Sequence, residues 1–262
     1  MDEPFPTDLV LLSSDHVYFF VHSAVLLKYS ENGFAGLLGG DKVYLPEDSE
    51  VLNLVLHAFY NLDPSKFRPT VVLMTAALRS LQNYYVSLDA LLTPSHPMSN
   101  TILHLGIQSP LETFAMVASF KLEHLAIEVS KKLVSVPLHS LTDDLAEKMG
   151  PLYLRRLVFL HLGRIDRLKQ LLMRPHSLHP VTKDCYESDQ KRLQNQWKAL
   201  AVALTWNAQP DLSPQRIHST FTTLVPKTTC NQCQLVSYLW DFTTYCSRLL
   251  VVNQGNHPCT CC

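Results

Sequence analysis

Apolar and polar residues alternate along this chain in two rhythms, first a strand-like one and then a helical one. Leu9-Val10-Leu11-Leu12 and Val17-Tyr18-Phe19-Phe20-Val21 are apolar runs of strand length. Ser13-Ser14-Asp15-His16 lies between them, and Ser and Asp close turns by bonding their own backbone, so the pair predicts a hairpin. Helical stretches follow over Ser23–Lys28 and Glu31–Leu38, the second stopped by Gly39-Gly40. Val43-Tyr44-Leu45 predicts a third strand, ended by Pro46. Asp48 is placed to cap a helix whose apolar positions, Val51, Leu54, Val55, Ala58 and Phe59, share one face. Asp63-Pro64 ends it, and further helices are expected over 70–84 and 88–92.

Residues 93–100, with two prolines and no apolar period, predict a linker. Beyond them the pattern is helical throughout. Ser109-Pro110-Leu111-Glu112 reads as a capping box with proline at the first helical position. Phe114, Val117, Ala118 and Leu122, then Leu125, Val129 and Leu133, continue that stretch to Pro137. The clearest amphipathic helix runs through Leu154, Leu157, Val158, His161, Leu162, Ile165 and Leu168, with Arg155, Arg156, Arg164 and Arg167 toward its wet side. Pro175 to Pro180 interrupts it. Later helices are expected over 190–206, 214–224 and 235–251, with Trp197, Trp206, Leu193, Leu200 and Leu204 forming a core. An aromatic groove for a partner peptide is the alternative reading of the two tryptophans.

Composition narrows the function class. The 262 residues carry 22 Lys and Arg against 23 Asp and Glu, which argues against a phosphate-neutralising nucleic-acid binder. Hydrophobic residues make up 47% and charged ones 17%, which excludes a mainly disordered chain. Eight glycines against 16 prolines argue against Gly-rich phosphate loops. No apolar run is long enough for a membrane span, and Met1-Asp2-Glu3-Pro4 is unlike a secretory leader. An intracellular protein of cytoplasm or nucleus, with its seven cysteines reduced, is the expectation.

Candidate chemistry is sparse. The sequence holds no GxSxG, HExxH or Walker-type loop, and no enzyme is expected. Asp143 and Asp144, near Glu147, are read as helix-start carboxylates opposing free amides rather than as a catalytic pair. Cys230-x-x-Cys233 has the spacing of half a zinc site; Cys185 with His176 or His179 can complete it if the intervening segment folds back. The competing reading is ordinary reduced cysteines, and a thioredoxin-like pair is disfavoured by the lack of a βαβ context. The terminal His257-Pro258-Cys259-Thr260-Cys261-Cys262 invites a lipidation or metal-clip reading, but no polybasic stretch accompanies it, and a divergent final exon accounts for it as well.

The order of residues in the first hundred positions resembles a BTB/POZ domain. The resemblance is carried by Asp8-Leu9-Val10-Leu11, Ser14-Asp15, Phe19-Phe20-Val21-His22, Leu26, Ser30, Phe34, Asp48-Ser49-Glu50 and Phe59-Tyr60, and covers about Asp8 to Leu92. Pro110–Ala118, Met149–Leu154, Phe159–Arg164 and the CxxC are similar to a large group of fungal BTB-domain proteins, extending the likeness to roughly residue 235. It implies an α+β body over 1–95, a helical domain over 96–180 and a helical tail over 181–262. It also implies a non-enzymatic adaptor or scaffold that binds other proteins or itself. A cullin-type ubiquitin-ligase scaffold is one such partner, met through an apolar patch around Phe34 to Tyr60; a transcriptional-regulatory scaffold is another reading, and a zinc-stabilised helical protein a third. Asp8, Val21, His22, Ser30, Phe34 and Tyr60 are the expected framework residues. His22 is read as a structural histidine partnered by Asp8, with a ligand or proton shuttle as the alternative. Two departures follow. Seven residues precede Asp8, so a strand-swapped dimer is not expected, and Ser23 stands where relatives carry a basic residue, removing a counter-charge for acidic partners.

Overall fold

The computed structural model describes residues 7–30, 32–37, 40–173, 179–183, 185–206, 210, 212–224 and 230–233. By internal contacts the chain divides into two compact units, Met1–Arg155 and Arg156–Cys262.

The first unit is mixed α and β. Strands β1 (Leu9–Leu12) and β2 (Tyr18–Val21) form the expected hairpin, and β3 (Lys42–Tyr44) adds parallel to β1, giving the order β2-β1-β3. Period-two alternation sorts the side chains. Leu9, Leu11, Val21 and Val43 are buried, while Phe20, Lys42, Tyr18 and Tyr44 are exposed beside Val10 and Leu12 on the other face. Lys42 lies over the Tyr18 and Tyr44 rings at 4.7 and 5.3 Å, so its stem and the rings cover Leu12.

Helix α1 (Ser23–Leu27) follows β2 directly. The helix expected over 31–38 is not formed across its described residues. Gly33, Phe34, Ala35 and Gly36 all have positive φ, a conformation no right-handed helix allows. Side chains satisfy the amides instead: the Phe34 N–H donates to Ser30 Oγ at 2.6 Å and the Ala35 N–H to Asn32 Oδ1 at 2.8 Å. Glu31, Leu38 and Gly39, from the same expectation, lie outside the described residues.

Helix α2 (Ser49–Phe59) starts where Asp48 accepts the Val51 N–H at 2.8 Å, and α3 (Val71–Asn83) where Thr70 accepts that of Leu73. α2 buries Leu52 and Leu56 as well as the predicted face, as befits a helix that packs along α3 and lies within the core. After the short α4 (Leu88–Leu91) the expected linker is ordered. Pro97 opens α5 (Pro97–Gln108), and buried His96 accepts the Met98 N–H as its cap. The same imidazole reaches Ala58 O through Nε2 at 3.1 Å, tying α5 to the end of α2.

The stretch from Pro110 breaks into α6 (Pro110–Ser119) and α7 (Glu123–Leu133), separated by Lys121 at φ 57°. Ser109 precedes α6 but makes no side-chain cap bond, so only the proline half of the predicted start signal operates. α8 (Asp143–Leu172) is kinked at Gly150, whose φ of 71° precedes Pro151. Asp143 and Asp144 occupy its first turn, as the dipole argument expects, with Asp144 paired to Lys148.

The second unit contains the rest of α8, then α9 (Glu187–Trp206) and α10 (Pro214–Thr222). The helix expected over 235–251 lies outside the described residues, as does the terminal cysteine cluster. Among the described residues no helix is long and apolar enough to cross a membrane.

Candidate metal centre

The core of the second unit is built from one face of each helix. Leu168 and Leu172 come from α8, Gln190, Leu193, Trp197 and Ala201 from α9, and Ile217 and Phe221 from α10. The Trp197 and Phe221 rings stack at 3.9 Å between centroids, which fixes α9 against α10. Trp206, expected in this core, is 85% exposed at the last position of α9, on the helix face that also carries exposed Ala199, Val202 and Ala203, whereas Leu200 and Leu204 pack against the core.

Two further segments fold onto this core. In one, two backbone bonds join Thr182 and Cys185, at 3.1 and 3.2 Å, and Cys185 is 1% exposed. Residues 230–233 bring in Cys230 and Cys233, both buried. The result is a tetrad of His179, Cys185, Cys230 and Cys233 whose ligand atoms all lie within 4.8 Å of one another. His179 Nε2 is 3.2 Å from Cys233 Sγ and 3.4 Å from Cys230 Sγ, and Cys185 Sγ is 3.6 Å from Cys233 Sγ. The segment between Cys185 and Cys230 thus folds back as the zinc-site reading required. Of the two histidines considered, His179 takes the place; His176 lies outside the described residues.

The sulfurs sit in unequal electrostatic surroundings. The amides of Cys233 and Gln232 point at the Cys230 sulfur and lower its pKa against the opposing effect of burial. Burial, then the neighbouring Cys185 and Cys230 thiols, push Cys233 up to about 12. Three sulfurs this close resist joint ionisation, and a divalent cation between them relieves that resistance. The spacing also suits one. Ligands at ~2.3 Å (S) and ~2.1 Å (N) from a tetrahedral zinc stand ~3.8 Å (S to S) and ~3.6 Å (N to S) apart. The tetrad is therefore a cluster able to hold a metal ion.

The framework residues of the first unit form two separate groups. In one, Tyr60 Oη lies 2.8 Å from His22 Nδ1 and accepts the His22 backbone N–H at 2.8 Å, tying β2 to the end of α2. Asp8, the expected partner of His22, interacts with it electrostatically, and this is the smallest of the effects that lower the Asp8 carboxyl pKa. Asp8 also accepts the Ser23 N–H at 2.8 Å and the Ser23 hydroxyl at 2.5 Å, because the first amide of α1 needs an acceptor that His22 does not supply. The Ser23 hydroxyl and then its amide hold the Asp8 carboxyl below the usual carboxylate range. These bonds give Ser23 a local reason of its own for standing at this position, and the Asp8 N–H donates to Val21 O.

In the other group, Ser30 donates to Tyr84 O at 2.8 Å, and fully buried Phe34 stacks on Tyr84 at 4.1 Å between ring centroids. Tyr84 in turn donates to Glu47 at 2.5 Å, and burial, followed by that bond, raises its pKa above the usual phenol value. The apolar patch expected between Phe34 and Tyr60 is mostly turned inward. Among its described large apolar side chains Leu37 and Tyr44 are exposed, whereas Val43, Leu45, Val51, Leu52, Leu54, Val55, Leu56 and Phe59 are core.

Sequence reasoning missed three residues that shape these sites: Gln190 beside the tetrad, Tyr84 beneath Phe34, and His96 at the start of α5. Only Gln190 carried a signal, a glutamine at an otherwise apolar position of α9. In comparison with known proteins, the chain matches no family model, no curated protein and no solved structure.

Proposed function

We propose that this chain is a non-enzymatic protein-binding scaffold, with a BTB/POZ-like body in its first unit and a zinc-stabilised helical body in its second. The scaffold reading is supported by one observation above others. The element order, a hairpin, a short helix, a strand and then a capped helix ending in Phe59-Tyr60, follows the order the resemblance implies, save that the second of its two short helices is replaced by a turn segment at 32–37. A body of this kind works by shape: the sheet and helices hold a rigid surface, and partners bind by complementarity. A cullin-type ligase scaffold and a transcriptional-regulatory assembly are the two partner classes this reading admits, together with a second copy of the chain.

The test is proximity labelling by the full chain in its native host, followed by reconstitution with each purified candidate and by light scattering over a concentration series. Direct binding of a labelled protein, or self-association, is expected. A strict monomer to which no labelled protein binds overturns the scaffold reading.

The zinc reading has its own support in the donor set. Cys185, Cys230, Cys233 and His179 supply four ligands, which fills a tetrahedral shell and leaves no open position for substrate, so the metal's role here is structural. Bound zinc would link the 179–185 segment to 230–233 and fasten both to the core. Native mass spectrometry of the full chain is expected to show stoichiometric zinc; protein isolated without chelator and refusing added Zn²⁺ removes this reading.

A further inference from the structure

We infer that Gln190 is a positioning residue for the metal site, holding His179 so that Nε2 is the ligating nitrogen; this rests on the zinc reading of the tetrad. His179 Nδ1 lies 2.7 Å from Pro180 O. A carbonyl only accepts, so the proton is on Nδ1, and a neutral imidazole protonated there has its lone pair on Nε2. That lone pair faces the Cys233 and Cys230 sulfurs at 3.2 and 3.4 Å. Nothing in this arrangement is chosen by the ring itself, because an imidazole can rotate and exchange its nitrogens.

Gln190 supplies the constraint. Its side-chain amide donates to His179 O at 3.1 Å and stands 3.3 Å from Nδ1 and 3.4 Å from Nε2 of the same ring. One amide thus fixes the His179 backbone and closes off the space beside the imidazole. Gln190 is 2% exposed and shares a helical face with Leu193, Trp197 and Ala201. An amide at a position where its neighbours are core carries a desolvation penalty unless it is bonded, and the bond it makes is to the ligand residue. Partners of this kind orient a metal-bound histidine, and their loss typically weakens metal affinity by about 10- to 100-fold.

The experiment uses the full chain. Zinc affinity is measured by competition with a chromophoric chelator, and Co²⁺ is substituted to read the ligand field. Gln190→Leu is expected to bind Zn²⁺ about 10- to 100-fold more weakly than the wild type, with an altered Co²⁺ absorption envelope. Gln190→Glu, nearly the same shape but presenting a carboxylate oxygen to the His179 carbonyl, gives the same readout should Gln190→Leu not fold. Leu193→Ala, a core change on the same face, lowers thermal stability but leaves the Co²⁺ envelope unchanged. A wild type that takes up neither metal ends the zinc reading and this inference with it. A wild type that binds zinc alongside Gln190 variants of equal affinity and identical Co²⁺ spectrum ends this inference alone.

Discussion

The sulfurs of Cys185 and Cys233 stand 3.6 Å apart although 48 positions separate them in the chain. That proximity joins the two ends of the second unit's helical core through the tetrad, and Trp197 lies buried in the same core. On the proposed zinc reading, metal affinity and folding are one equilibrium, since the unfolded segment offers no preformed site. Adding a strong zinc chelator is expected to lower the unit's unfolding temperature and shift Trp197 emission to the red, and returning Zn²⁺ to reverse both. Cys233→Ser is expected to reproduce the chelator effect and to make it insensitive to further chelation. Trp emission that stays put through complete zinc removal would detach the tetrad from the fold.

Phe34 takes a left-handed backbone conformation, at φ 58°, and is nonetheless fully buried between Tyr84 and Phe59. Strain of that kind persists where packing over-determines it. Phe34→Ala removes the stacked ring and is expected to destabilise the first unit by about 3–5 kcal/mol, read by chemical denaturation. Phe34→Gly relieves the backbone while losing the same ring, so it is expected to fall slightly less. A Gly variant clearly less stable than the Ala variant would refute the strain argument.

Much of this was legible in the chain because it depends on local rules. The hairpin, the cap at Asp48, and the α2 face follow from side chains acting within a few residues of themselves. The failures share a cause as well. At residues 32–37, Ser30 and Asn32 outcompete the helix for its amides, and an apolar count does not see that competition. At 93–100, prolines that suggested a linker instead open a helix, because Pro97 follows a histidine able to cap. The zinc-site candidates were readable as residue types, but that His179 and Cys185 meet Cys230 and Cys233, far along the chain, is a tertiary fact. His22 was seen, but its hydrogen bonds to Tyr60 were not, since Tyr60 lies 38 positions away.

His96 makes a pH-dependent contribution whose sign is set by burial. Burial lowers its pKa below the ordinary ~6.5, against the smaller effect of its bond to Ala58 O. Neutral imidazole serves both contacts, with Nε2–H donating to Ala58 O and Nδ1 accepting from Met98 N–H. The unfolded chain takes up the proton first as pH falls. The contribution is therefore complete above the ordinary imidazole value and is lost as pH falls through the lowered folded value. Denaturation midpoints measured from pH 7 to 5 stay clear of the Asp8, Asp15 and Asp63 carboxyls, whose serine partners hold them below the usual range. The wild type is expected to lose stability across that window and His96→Asn, which retains a capping oxygen, to lose less; parallel curves would remove His96 as the cause.

Thr113 sits on the fully buried face of α6, and its Oγ1 has no hydrogen-bond partner among the described residues. A hydroxyl in that position has left water and gained nothing in exchange, whereas its methyl fills core space. Valine has the same branched outline without the polar atom. Thr113→Val is expected to stabilise the first unit by about 1 kcal/mol, equivalent to a rise of about 2–4 °C in Tm for a body of this size. Thr113→Ser keeps the hydroxyl and deletes the methyl, so it is expected to lose about 1 kcal/mol, the scale of one buried methyl group. The pair separates the two atoms. If valine were the less stable variant and serine the near-neutral one, the hydroxyl would have to be engaged in the folded protein, and the position would become a candidate for an ordered water between α6 and its neighbours.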